Sequence, residues 1–185
     1  LRSVDLQGGT RAAGGPNGFG AGGGGVSQHF ELPHFQEDGL PKAARKSLKG
    51  FRGYPDVAYN GGVFGGVIVH LGFLDTAFGP GFNGFYIFGG TSAGAPQWAG
   101  VTALANQVAS RPLGFLNKRL YELGAEGALA GLMHDVTLGD NSFLGVPGFS
   151  ATSGWDLATG WGTPNFGLRL TLLSSMGDDD GNEDP

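Results

Sequence analysis

Cysteine is absent from the 185 residues. That excludes disulfides, thiolate zinc sites and cysteine nucleophiles. No apolar run reaches the length of a membrane-spanning helix. Basic residues are few, 11 Lys and Arg against 16 Asp and Glu, for a formal net charge of −5. No basic stripe interrupts this deficit, so nucleic acid is excluded as a partner. The four histidines, His29, His34, His70 and His134, stand in no motif of a catalytic base. Three of them sit among aromatic or apolar residues, where packing is the simpler role. The first residues, Leu1-Arg-Ser-Val-Asp-Leu-Gln7, include no initiator Met and do not read as a signal peptide. The expectation is a fragment or a processed product.

What is abundant is glycine, at 38 residues, clustered and without a collagen-like period. With 40% hydrophobic residues, the chain reads as one domain, or a piece of a larger one. Its short core elements would be joined by glycine-lined loops. The acidic residues are partly local. Residues 177–185 carry five of the 16 and no Lys or Arg, which leaves residues 1–176 near neutral. This tail resembles a calcium loop only superficially, because no residues remain for the terminal bidentate Glu. It reads as a disordered end or linker.

The stretch that organises the chain is Tyr86-Ile-Phe-Gly-Gly-Thr-Ser-Ala-Gly-Ala-Pro-Gln-Trp-Ala-Gly100. An apolar run stops at two glycines, and a Thr-Ser pair leads into a segment able to form a helix. The order predicts a strand, a tight turn, and a helix with Ser92 in its first turn. Unpaired N–H groups and the helix dipole favour negative charge there. Ser92 is therefore either a nucleophile or a helix cap.

Around it, residues 1–7 read as a strand and 11–25 as a loop. Pro33 argues against a central strand over 26–36. Pro41–Lys49 reads as a short surface helix with a solvated face, and Val67–Leu71 and Phe85–Phe88 as strands. Asp75–Gly84 reads as a hairpin-like loop between those two. The main helix is expected over Ala95–Ser110, with Pro96 in its first turn. Further helices are expected over Phe115–Leu123 and 166–176. Asp56, in the turn Tyr54-Pro-Asp56, is read as a cap of local N–H groups rather than a catalytic acid.

Asp135 and Asp156 lie 21 residues apart, each beside a glycine-rich turn. Two carboxylates with backbone carbonyls make a hard-oxygen set suited to Ca²⁺, although loop aspartates also serve simply as turn formers.

Gly89-Gly-Thr-Ser-Ala-Gly-Ala-Pro96 resembles the nucleophile motif of the sedolisins, the serine-carboxyl peptidases with a subtilisin-like fold. The group includes lysosomal tripeptidyl-peptidase. Val4-Asp-Leu-Gln-Gly-Gly-Thr10, Gly23-Gly-Gly-Val-Ser27 with Pro33 and Gln36 after it, Arg52-Gly-Tyr-Pro-Asp-Val57, and Gly114-Phe-Leu-Asn117 with Leu120-Tyr121 are similar to further family segments. So are Asp135-Val-Thr-Leu-Gly139 and Gly154-Trp-Asp-Leu-Ala-Thr-Gly-Trp-Gly-Thr-Pro164. The resemblance covers nearly all of residues 1–175, in order.

The resemblance implies an α/β fold, a subtilisin-like parallel sheet with flanking helices, present here as the C-terminal portion of a peptidase domain over 1–176. It implies Ser92 as the acyl-enzyme nucleophile. It implies one Ca²⁺ held by Asp135 and Asp156 with the carbonyls of Val136, Thr152 and Gly154. Thr152 stands where relatives often have Gly, which a carbonyl ligand tolerates. The family's Glu base, the Asp that orients it and an oxyanion Asp would all precede Leu1. The expected partners are a peptide or protein substrate, the N-terminal half of the catalytic domain and a pro-segment. The expected location is secreted, or else lysosomal. Two alternatives stay open: a non-catalytic calcium-binding module of the same fold, and a subtilisin-type protease with an upstream histidine.

Overall fold

The computed structural model describes residues 21–62 and 66–165. The expected strand over 1–7, the closing helix over 166–176 and the acidic tail lie outside these residues.

Strand β1 (Gly25–Glu31) pairs antiparallel with β2 (Phe51–Tyr54), with an irregular register between Val26 and Glu31. Pro33 has no N–H to extend the ladder and instead precedes helix α1 (His34–Gly39). Pro41 likewise precedes α2 (Lys42–Leu48), which ends where Lys49 turns left-handed. The surface-helix expectation for 41–49 holds, yet the face is not wholly solvated: Leu48 is fully buried.

Strands β3 (Val67–Leu71) and β4 (Gly84–Phe88) form a regular antiparallel pair, from Val67 opposite Phe88 to Leu71 opposite Gly84. Their connection contains a single helical turn, α3 (Leu74–Phe78), where only a loop was expected. Asp75 holds it closed: Oδ1 accepts the N–H groups of Phe82 and Asn83, both at 2.7 Å.

Helix α4 (Thr91–Ala109) begins four residues before the expected Ala95. Gly90, at φ +79°, makes the turn that starts it, and Pro96 lies inside the helix rather than in its first turn. Helix α5 (Leu116–Ala125) runs two residues past the expected end at Leu123, through Gly124. Two short strands, β5 (Met133–His134) and β6 (Thr163–Pro164), pair antiparallel.

The mixture of helices and strands fits a partial α/β domain. The expected parallel sheet is not among the strand ladders of the described residues, all of which are antiparallel. Parallel pairing needs a crossover that returns the chain to the same end of the sheet. Here β3 and β4 are joined by a chain reversal.

The core gathers Leu40, Leu48, Leu120, Tyr121, Leu123, Leu129, Trp155 and Trp161. Phe35 packs edge-on against Phe115 and Tyr121. Gly53 permits this packing, because a Cβ there would overlap both Trp155 and Leu48. Each buried tryptophan removes roughly 150–250 Å² from water, worth about 4–6 kcal/mol before entropy is counted. The β3–β4 hairpin lies outside this core. Ile68 is 68% exposed and Phe85 77%.

Candidate active site and metal centre

Ser92 is the second residue of α4, directly after β4 and the Gly89-Gly90 turn. It is exposed. The helix cap is Gly90, and no side chain caps it by hydrogen bonding, so the cap role weighed for Ser92 is not the one it plays. The N–H groups of this first turn have no carbonyl one turn earlier within the helix. That is a setting in which negative charge on a nearby oxygen is favoured. His70 packs edge-on against Phe85 with ring centroids 4.9 Å apart, which is a packing role. His34 lies 3.9 Å from Glu37 on α1.

Asp56 departs from its expected role. Its carboxylate does not cap local backbone but accepts from three side chains. Arg52 Nη2 donates to both oxygens at 2.6 Å. Tyr121 Oη donates to Oδ1 at 2.8 Å, and Asn117 Nδ2 to Oδ2 at 2.8 Å. Gln36, fully buried, donates through Nε2 to Tyr121 Oη at 2.7 Å and to the Gly53 carbonyl at 2.9 Å, while its Oε1 accepts from the Gly53 N–H. The Arg52 guanidinium lies over the rings of Tyr54 and Phe35, at 4.7 and 5.2 Å. Burial, and then the Asp56 charge, push the Tyr121 phenol far above its ordinary range. Gln36, Asn117 and Tyr121 stand in segments the sequence likens to the family, but nothing there joined them to Asp56.

Of the expected set, Asp135 is tied to Gly154 and Asp156 to Thr152. The Gly154 N–H, on a residue at φ +78°, donates to Asp135 Oδ2 at 2.8 Å. The Thr152 N–H donates to Asp156 Oδ2 at 2.7 Å. Asp156 Oδ1 accepts from the N–H groups of Ala158 and Thr159 and from the Thr159 hydroxyl. Asp135 Oδ1 is buried and has no hydrogen-bond partner. Among the described residues, no backbone N–H is bonded to the carbonyls of Val136, Thr152 or Gly154. An orphaned buried carboxylate oxygen costs free energy unless something positive meets it. This donor set is oxygen only, as hard cations prefer. Ser92 lies on α4, outside this loop.

No family model matches the chain. Kumamolisin from Bacillus sp. (strain MN-32) is 39% identical over 158 residues, which cover 84% of this chain and 26% of that protein. The solved structure of Pseudomonas sedolisin, a serine-carboxyl proteinase complexed with two molecules of pseudo-iodotyrostatin, superposes with a TM-score of 0.65 at 27% identity. The match covers 83% of this chain and 36% of that one. The chain belongs to the sedolisin family. Tripeptidyl-peptidase 1 from Bos taurus is 34% identical over 170 residues, covering 82% of this chain and 27% of that protein. Tripeptidyl-peptidase sed1 from Aspergillus fumigatus is 31% identical over 169. These sedolisin relatives are peptidases by name. The chain spans about a quarter of the length of the curated relatives it matches.

Proposed function

We propose that this chain is the nucleophile-bearing part of a sedolisin-like serine-carboxyl peptidase that hydrolyses peptide bonds in acid. The observation that carries this reading is the position of Ser92 on the first turn of α4, behind the Gly89-Gly90 turn, in a chain of this family. Ser92 Oγ attacks the scissile carbonyl, and a Glu base takes the hydroxyl proton and passes it to the departing amine. Water then attacks the serine ester, giving its proton back through the same base, and frees the carboxyl product. The base, the Asp that orients it and the oxyanion Asp belong to the part of the domain that precedes the Val4–Thr10 motif. A carboxylate base goes with work at acidic pH, so a secreted enzyme or a lysosomal one is the fitting location. No helix among the described residues is long and apolar enough to cross a membrane.

One Ca²⁺ would be held by Asp135 and Asp156 and by the carbonyls of Val136, Thr152 and Gly154. The free, buried Asp135 Oδ1 supports this. When bound, the ion supplies fixed positive charge and ties residues 135–136 to the loop 152–156. The chain's own side chains hold that loop ready through the two N–H to carboxylate bonds.

The partner within the enzyme is the N-terminal half of the catalytic domain, with a pro-segment, and it would complete the subtilisin-like parallel sheet. The exposed Ile68, Phe85 and Ile87 support this, since a soluble protein rarely leaves such a patch uncovered. The test is to complete the chain with the upstream half of the domain and assay an unfolded protein substrate at acidic pH. Turnover is expected from the completed enzyme and not from the isolated chain. Ser92→Ala is expected to lower kcat at least about a thousandfold. Turnover that survives Ser92→Ala would remove Ser92 from the mechanism.

A further inference from the structure

Residues Asp56–Gly62 form no helix or strand, yet both ends are tied down. At the first end, the Asp56 carboxylate is held by Arg52, Asn117 and Tyr121. The Asp56 carbonyl accepts the Trp161 N–H at 2.9 Å, and the Ala58 N–H donates to the Gly162 carbonyl at 2.8 Å. Gly160 packs so closely on the Asp56 and Pro55 carbonyls that no Cβ fits. This end is therefore bonded to the loop that carries Asp156.

The other end is bonded to the start of α4. Trp98 Nε1 donates to the Ala58 carbonyl at 3.0 Å. A Cβ on Gly94 would stand 3.1 Å from Tyr59 Cβ, so the helix backbone rests directly on Tyr59. The Gly90 N–H donates to the Gly61 carbonyl at 2.5 Å. Between the ends, Asn60 Oδ1 accepts the Gly62 N–H at 3.0 Å and fixes the local turn.

We infer that Asp56–Gly62 is a strut that fixes the first turn of α4, and so Ser92, relative to the loop 156–162, with Asp56 and Trp98 as positioning residues. The catalytic consequence rests on the reading of Ser92 as nucleophile; the mechanical link does not. Small displacements of an attacking atom cost large factors in rate, so a mounting of this kind acts on kcat rather than on substrate binding.

Hydrogen exchange on the 185-residue chain tests the link. Trp98→Phe keeps an aromatic ring and removes the N–H that Ala58 accepts. The amides of Gly90 and Ala93, bonded to the Gly61 and Gly90 carbonyls, are expected to exchange about fivefold faster, the equivalent of one hydrogen bond, while those of residues 120–123 in α5 stay unchanged. Asp56→Asn is expected to speed exchange at Gly90, Ala93 and Trp161 together. If Asp56→Asn does not fold, Trp98→Phe decides alone. Unchanged exchange at Gly90 and Ala93 in folded Trp98→Phe overturns the strut. In the completed peptidase, Trp98→Phe is expected to lower kcat about fivefold at unchanged KM and with an unchanged pH profile. Faster exchange with undiminished kcat overturns the positioning role. Full turnover by Ser92→Ala would instead remove the nucleophile reading and leave the exchange result standing.

Discussion

The Tyr121 hydroxyl donates to Asp56 Oδ1 at 2.8 Å, joining residues 65 apart in the chain. The same oxygen accepts from Gln36 Nε2, so one phenol links α1, α5 and the Pro55–Asp56 turn. Tyr121→Phe leaves Asp56 short of a donor and Gln36 short of an acceptor in a buried site. It is expected to cost about 1–3 kcal/mol in urea unfolding. It also alters the alkaline limb. Burial and the Asp56 charge raise the phenol's pKa in the folded state, so the unfolded chain loses this proton first. That contribution to stability is complete below about pH 10, the ordinary phenol value, and is lost as pH rises further. The fall of the urea midpoint between neutral and strongly alkaline pH should be shallower in Tyr121→Phe. An identical slope would show that Tyr121 does not carry it.

Gly160 stands at φ +60° with its Cα against the carbonyls of Pro55 and Asp56. Gly160→Ala places a methyl group where those carbonyls are and demands a left-handed conformation from a residue with a Cβ. The expected loss is at least about 1–3 kcal/mol. Gly84, whose added Cβ would meet nothing within 4 Å, is the control. Equal midpoints for the two alanine variants would remove the steric argument.

Calcium supplies a separate handle on residues 135–156. An ion bound only by the folded state stabilises it by mass action. Saturating chelator added to a calcium-loaded sample is expected to lower Tm by about 5–10 °C if calcium had stood near a hundredfold above Kd. Asp135→Asn removes the charge of the carboxylate whose Oδ1 has no partner, so its Tm should start low and ignore chelator. A calcium-loaded wild type that keeps its Tm in chelator would leave these residues as turn formers only.

The β3–β4 hairpin should govern the behaviour of the isolated chain. Ile68 and Phe85 are exposed on it, and such surfaces associate. The isolated chain is expected to self-associate on a sizing column and to bind an apolar dye. The double change Ile68→Lys, Phe85→Lys should reduce both. In the completed peptidase the same pair should instead lower Tm, because the charges would be buried. A completed enzyme indifferent to them would show that this face is not covered by the rest of the domain.

Local order was legible where chemistry is local. Gly89-Gly90 before Thr91-Ser92 announced strand, turn and helix, and β4, the turn and α4 follow that order. The helix start was misplaced because Pro96 reads as a first-turn residue, whereas Gly90 starts the helix earlier and Pro96 is carried inside it. The loop aspartates were singled out in sequence by the resemblance rather than by spacing, and the N–H groups of Gly154 and Thr152 donate to them. Gln36, Asn117 and Tyr121 stood out in family-like segments, but their meeting at Asp56 was not legible, because the segments are distant in the chain and no spacing links them. Strand direction was legible at this pair, since the hairpin-like loop read over Asp75–Gly84 implies the antiparallel ladder that Val67–Leu71 and Gly84–Phe88 form.

Arg52, finally, uses its shape as much as its charge. The plane of its guanidinium faces Tyr54 and Phe35 while its edge grips both oxygens of Asp56. Lysine keeps the charge but has neither a flat face nor a fork. Grafting this turn onto another scaffold would therefore require both rings, the arginine and the aspartate to move as a set, and a copy made one residue at a time would pass through intermediates that bury an unanswered charge.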